Sequence, residues 1–530
     1  LTLDTGGTIS TSNFTRQTGG VFNFNDGTLT VSGGTYQQPN GALTINGSTA
    51  TASPLLALIN GAGTTGITSI NLGSTAGRQG SIQVLSGATL SSSGNALLGS
   101  TTTSTASALI SGSGSTWTQS GNFYVAGNTT TARGTASLTV NNGGALAVGG
   151  ALTLYTHGTL TLDTGGSVTA NSFSNSGILN FNGGTLTVSG GAYTQSSGTL
   201  ALNGTNNPTL VLAGGATTSG ITNVVVGNAA AATLNVLGGS VFSNSGSASL
   251  GLVGRGSGVA TVSGSGSLWN VANNLYVGGS SSGAGGVGLL SVSGGGAVNI
   301  AGDATVYGGS TLSVGIGGTF TASSLVAPGE ISNNGNIHSN VTMQAGGTLA
   351  GTGTIAGNLT QSTGSFYAPG NSPGIQHVYG DVTWNTMSYA MQIANISASP
   401  GIGYDSLAIH AANAALGQLT IVPGSTIEVD VDSYPTGTAS LNFNNLSPFD
   451  LVLVSTEGGI NGFNTGSFVI NSTAFAANNP LGGGLFSIVE SADLKNLLLH
   501  FAPAAVPEPA TLALVGMAAA GLRWRLRRRR

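Results

Sequence analysis

The sequence predicts an all-β protein, a right-handed parallel β-helix, on three observations. Glycine supplies 90 of 530 residues, while charged residues make up only 5%. Apolar residues still reach 39% and recur regularly, which separates the chain from a disordered, weakly charged polymer. The third observation is a short alternation. Leu138-Thr139-Val140, Leu146-Ala147-Val148, Leu152-Thr153-Leu154 and Leu160-Thr161-Leu162 begin 8, 6 and 8 residues apart. Apolar–polar–apolar order puts the outer two side chains on one face of a strand. The Gly-Gly, Asn-Gly and Ser-Gly pairs between such triplets supply turns with positive φ. Strands this short bury a core only by stacking coil on coil. A β-sandwich or barrel also uses short strands, but does not readily explain so regular a spacing.

The elements follow from internal repeats. LTLDTGGTIS at Leu1 recurs as LTLDTGGSVT at Leu160, and NFNDGTLTVSGG at Asn23 recurs as NFNGGTLTVSGG at Asn180. SGSGSTW ending at Trp117 recurs as SGSGSLW ending at Trp269, and LSVGIGGTF at Leu312 begins a third copy. The offsets are 159, 157, 152 and 152 residues. These divide the chain into a first copy over 1–159, a second over 160–311, final coils over 312–382 and a β-rich cap over 383–505, where the pattern loosens. A C-terminal segment of different character covers 506–530. At ~22 residues per coil a copy makes roughly seven coils. At ~4.8 Å per coil the region from Leu1 to Trp384 makes a rod on the order of 80 Å long. Leu1 falls inside a repeat, so further coils and a cleavable export signal are expected upstream.

Charge excludes one class of function. Before Val506 there are five basic residues (Arg16, Arg78, Arg133, Arg255 and Lys495) against fourteen acidic ones. Such a body has no basic footprint for nucleic acid. The chain has no cysteine, which fits an exported bacterial protein that does without disulfides.

The tail, VPEPATLALVGMAAAGLRWRLRRRR, concentrates the remaining basic charge: Arg523, Arg525, Arg527, Arg528, Arg529 and Arg530. Pro507-Glu508-Pro509 precedes an apolar run from Ala510 to Leu522, a short apolar helix of about 20 Å at 1.5 Å per residue. That is shorter than an ordinary span, but Trp524, Leu526 and snorkelling arginines extend it. Flanking arginines hold their end on the cytoplasmic side. The alternative, an exposed basic tail for nucleic acid or anionic lipid, finds little support in an acidic, lysine-poor body.

Pro-Glu-Pro, an apolar helix and a terminal arginine cluster, in that order over Val506–Arg530, resemble the PEP-CTERM sorting signal of Gram-negative bacteria. The resemblance implies recognition by an exosortase that cuts near Pro507, Glu508 and Pro509, with Arg523–Arg530 retained on the cytoplasmic side. It implies transient anchoring in the cytoplasmic membrane, followed by a cell-surface or extracellular destination. The repeat phrases Ser113–Val148 and Ser265–Val298 also resemble those of PEP-CTERM proteins and type V autotransporter passengers. Gly346–Trp384, continued from Gly403, is similar to the passenger-associated segment of autotransporter β-helices.

Chemistry is sparse. β-Helices host polysaccharide lyases and hydrolases, which need clustered carboxylates. The six acidic and four basic residues of Leu1–Trp384 are scattered, and we expect no enzyme, no cofactor and no metal. In Asp405-Ser406-x-x-x-His410 an extended strand holds serine and histidine about 13 Å apart, too far for a catalytic pair. Glu428-x-Asp430-x-Asp432 aligns three carboxylates that a calcium ion could use, although a solvated strand face explains them better. The histidines (His157, His338, His377, His410 and His500) fit no zinc spacing and read as far apart. No Walker-type loop precedes Lys495, and GRGSG at Gly254 carries no nucleotide signal in so glycine-rich a chain. Trp117 and Trp269, at equivalent repeat positions, suit core packing better than sugar stacking. The expected function is that of a non-enzymatic surface or matrix rod for adhesion, or for association with the exopolysaccharide of a biofilm or other surface glycans. Binding to a regular lattice, ice or crystalline polysaccharide, is the alternative, but Thr28-Leu29-Thr30 and Thr185-Leu186-Thr187 do not recur in every coil.

Overall fold

Alternation of small apolar and polar residues, interrupted by glycine, dictates short strands with one buried face, and a computed structural model of the chain shows them. It describes residues 1–505. Nearly every ladder is parallel, each strand pairing with its counterpart one coil away, so the chain is a parallel β-helix with three faces per coil. The coil beginning with Thr135–Asn141 illustrates the geometry. That strand lies on a first face, and Ala145–Leu154 then bends across the second and third, with its register broken between Val148 and Ala151.

Inward side chains stack in columns. On the first face Val84, Ile110, Val140, Leu162 and Phe181 follow one another through successive parallel registers, and all are buried. One continuous apolar core runs from Leu3 to Leu499. Burial of each such side chain is worth about 1.5–3 kcal/mol, and it is available only because a neighbouring coil covers it. Glycine is demanded where the chain turns sharply from one face to the next. Gly251 has φ +68°, and a Cβ there would meet the carbonyl oxygen of Val287 at 2.2 Å.

The repeat is not a whole number of coils. The first-face sheet is eight-stranded and ends at Ile178–Phe181, where Leu200–Leu202 begins a new stack in the same position round the coil. The second-face ladder is unbroken from Thr116–Gln119 to Ser257–Ser263. Ser257–Ser263 is the sequence counterpart of Thr105–Ser111, which lies on the first face. Trp117 accordingly sits on the second face and Trp269 on the third, both fully buried. From Leu160 to Leu312 the chain completes six coils and one extra face, where ~22 residues per coil predicted roughly seven. The coils hold more residues because their turns are longer than the minimal glycine pairs suggested.

Parallel ladders continue past Thr383. Met387–Ile393, Ser406–His410, Gln418–Ile421, Ile427–Ser433, Gly459–Asn461 and Phe468–Asn471 all extend the three faces. The sequence pattern loosens there because long loops separate these strands, not because the coil ends. The stack closes where Asn496–Ala502 pairs antiparallel with both Phe449–Thr456 and Leu485–Glu490. Phe443, Phe449, Phe475, Phe486 and Phe501 pack together beneath this closure. The antiparallel strands and the six-residue helix Thr473–Asn478 cover the end of a solenoid whose open ladder would otherwise recruit other chains.

Candidate functional site

The residues expected to carry the sorting function, Pro507, Glu508, Pro509, Arg523, Arg525, Arg527, Arg528, Arg529 and Arg530, lie outside the described residues, as does the expected apolar helix. The structure does show how the chain leads to them. Asn496–Ala502 is the last strand, and beyond it Ala504 and Ala505 are exposed and outside any strand or helix. Among the described residues no helix is long and apolar enough to cross a membrane.

The carboxylates of the rod act between coils. Asp163 accepts from its neighbour's backbone N–H at Thr164, 2.7 Å away, and from Nδ2 of Asn206 at 2.9 Å. These bonds hold its acid below the usual carboxylate range. Asp26 is lowered likewise, first by the N–H of Gly27 and also by that of Ser53. Asp303 accepts from Ser324 Oγ at 2.7 Å, and Asp381 from the Gln418 N–H at 3.0 Å. Of the three carboxylates on Ile427–Ser433, Glu428 accepts from Ser388 Oγ and Asp430 from Asn471 Nδ2, while Asp432 accepts from the N–H of Ser433. Among the described residues no group of three or more His, Asp or Glu side chains is placed to hold a metal ion.

Asp405 and Ser406 are buried side by side, whereas His410 is partly exposed. The Ser406 hydroxyl is buried and donates to the carbonyl of Leu453 at 3.4 Å. Asp405 is buried beside it and accepts from the N–H groups of Gly374 and Gln392 at 2.8 and 3.0 Å. Burial pushes its carboxyl up to about 6 despite those two donors. His410 faces the surface.

There the structure corrects one expectation. His377 and His410 are neighbours, with Nδ1 of the first 3.0 Å from Nε2 of the second and their rings stacked. Nδ1 of His410 also lies 3.1 Å from Oε1 of Glu457, so three groups from three coils form a chain. Burial, then the charge of His410, lowers the pKa of His377. The missed signal was register: Tyr379 pairs directly with His410 across one coil, which brings residues 33 apart into contact. Trp117 and Trp269 are core residues, each with its indole N–H bonded inside, to Gln119 and Asn244.

Chemistry is thus spread thin along the described rod, while the tail carries a short sequence motif. A comparison with curated proteins finds no match to this chain. Residues 505–529 match the PEP-CTERM protein-sorting motif. The chain therefore ends in the sorting motif of exported proteins that an exosortase processes, and its destination is the cell surface or the medium outside the cell.

Proposed function

We propose that this is a non-enzymatic rod that an exosortase cuts near Pro507-Glu508-Pro509 and delivers to the cell surface or matrix, where it associates with exopolysaccharide or other surface glycans. The sorting motif at residues 505–529 carries the reading. The glycan partner is supported by the outer surface of the coils, which offers hydroxyl and amide side chains with few charges. Ser107 donates to Ser81, and Asn299 to Asn270, on adjacent coils. Before cutting, the apolar run holds the chain in the cytoplasmic membrane and Arg523–Arg530 resist being drawn through it, each cation by roughly 2.5–3.5 kcal/mol on insertion scales. The likeness of the repeats to autotransporter passengers fits the same picture of a long exported stalk.

Fractionation with mass spectrometry of the surface-exposed form tests the processing step. We expect a mature C-terminus near Pro507 in cells with an active exosortase, and retention of uncut protein in the membrane when Pro507, Glu508 and Pro509 become alanine. A mature protein still ending at Arg530 in such cells would overturn the reading.

A further inference from the structure

Two of the grooves on the outside of the rod share an equivalent pair of strands in the two sequence copies, the first continuing onto later coils and the second onto earlier ones. The first, of about 540 Å³, is lined by Thr118, Ser120, Ala147, Gly149 and Asn171 among others. The second, of about 660 Å³, is lined by Asn270, Ala272, Asn299 and Ala301 together with Thr218 and Ser243. Thr118 and Asn270 are separated by the repeat offset of 152 residues, as are Ser120 and Ala272, Ala147 and Asn299, and Gly149 and Ala301. Both grooves follow the strand that carries the buried tryptophan and the strand stacked on it one coil later. Because the copies are displaced by one face, the grooves open on different sides of the rod.

Their chemistry names a ligand class. No residue lining either groove is charged, so nothing there would compensate an ionic group on a ligand. In the second groove successive coils are linked: Ser243 N–H donates to Thr218 Oγ1 at 2.7 Å, Asn270 Nδ2 to Ser243 Oγ at 3.3 Å, and Asn299 Nδ2 to Asn270 Oδ1 at 3.4 Å. A hydroxyl or amide is thereby offered once per coil, about every 4.8 Å, beside the exposed methyl groups of Ala272 and Ala301. A chain of pyranose rings repeats at nearly that distance and pairs an apolar ring face with hydroxyl edges. Both volumes lie within the ~300–1,000 Å³ of ordinary ligand sites.

We propose that each copy of the repeat carries one binding groove for an uncharged glycan chain, so that one rod holds two such chains on different sides. The inference rests on the glycan reading above and assigns it to a place. A rod bound at two faces bridges strands of polysaccharide, and the second attachment gains from the effective concentration set by the first.

Titration calorimetry of the purified chain with neutral β-glucan hexasaccharides, and with an acidic uronate hexasaccharide for comparison, tests it. We expect two sites per chain for the neutral sugar. Ala272 and Ala301 are exposed, and Ala272→Trp with Ala301→Trp should leave one site. Ser120→Trp with Ala147→Trp, also at exposed positions, should leave the other, and all four substitutions should remove binding while the melting temperature stays unchanged. Asn270→Ala with Asn299→Ala, a gentler pair, should weaken one site at least tenfold. Two neutral-sugar sites persisting in the fourfold variant would overturn the grooves and leave the glycan reading standing. Binding confined to the acidic sugar would overturn the ligand class, and no binding of either sugar or of the host's own exopolysaccharide would overturn both.

Discussion

Trp269 donates its indole N–H to Oδ1 of Asn244, 3.0 Å away on the preceding coil, and both side chains are buried. In the other copy Trp117 turns instead to Gln119 of its own strand, at 3.3 Å. The aromatic position is common to the copies, but its polar partner is supplied by different elements. Trp269→Phe keeps the apolar bulk and strips Asn244 of a donor, so we expect a loss of about 1–3 kcal/mol. Trp269→Ala adds a cavity and should cost about 3–5 kcal/mol. Denaturant unfolding of the two variants checks the order.

His377 gives the rod a sensitivity to acid. Its folded pKa lies below the ordinary histidine value of 6.5, through burial and then the charge of His410. The unfolded chain therefore takes up a proton first, and stability present above pH 6.5 is lost as pH falls through the lower folded value. Tyr379 stacks on His410, Glu457 bonds to it, and Lys495 lies close enough to act on Glu457. We expect the melting temperature to fall on acidification below pH 6.5, and His377→Gln to flatten that fall. An unchanged slope in the variant would contradict the assignment.

Asp405 works in the opposite sense. Its pKa is raised from 3.8 to about 6 by burial, so the stability it contributes is complete below 3.8 and is lost as pH rises through about 6. A shift of that size corresponds to roughly 3 kcal/mol. Asp405→Asn abolishes this dependence, but its amide cannot accept from both Gly374 and Gln392, and one buried N–H loses its partner at a cost of about 1–3 kcal/mol. The variant should thus be the less stable at pH 4.5 and should close much of the gap by pH 8, as measured by unfolding in urea.

Gln361 is fully buried, paired in register with Trp384, and neither atom of its amide bonds to another described residue. A buried amide without partners costs more than an apolar group of the same shape. Gln361→Met, nearly conserving volume, should raise stability by about 1 kcal/mol in a denaturation experiment.

Much of this fold was legible because the β-helix is local: a Leu-Thr-Val triplet followed by glycine reads as a strand and a corner without knowledge of the rest. The phrase ending at Trp117 and its echo at Trp269 marked the copies, and the tail declared its motif by order alone. What escaped was register. That His377 would lie against His410 depends on how many residues each intervening loop consumes, and loop length has no period. The grooves escaped for the same reason, since Thr118 and Ala147 become neighbours only once the coil between them is counted. The loops after Ile393 and Ser433 also disguised a solenoid as a cap, because hydrophobic spacing is the only sign of a coil in sequence.

The one-face remainder in each repeat has a consequence for how such genes change. Recombination between copies would add or remove one repeat, 152 to 159 residues by the offsets seen here, and the product would fold because each coil needs only its neighbours. Yet every copy gained would point what it displays in a new compass direction, and only a third addition would return to the original heading. Length and aim are therefore inherited together: a lineage that extends its rod by unequal crossover also re-aims it, without altering a single residue of the part that is aimed.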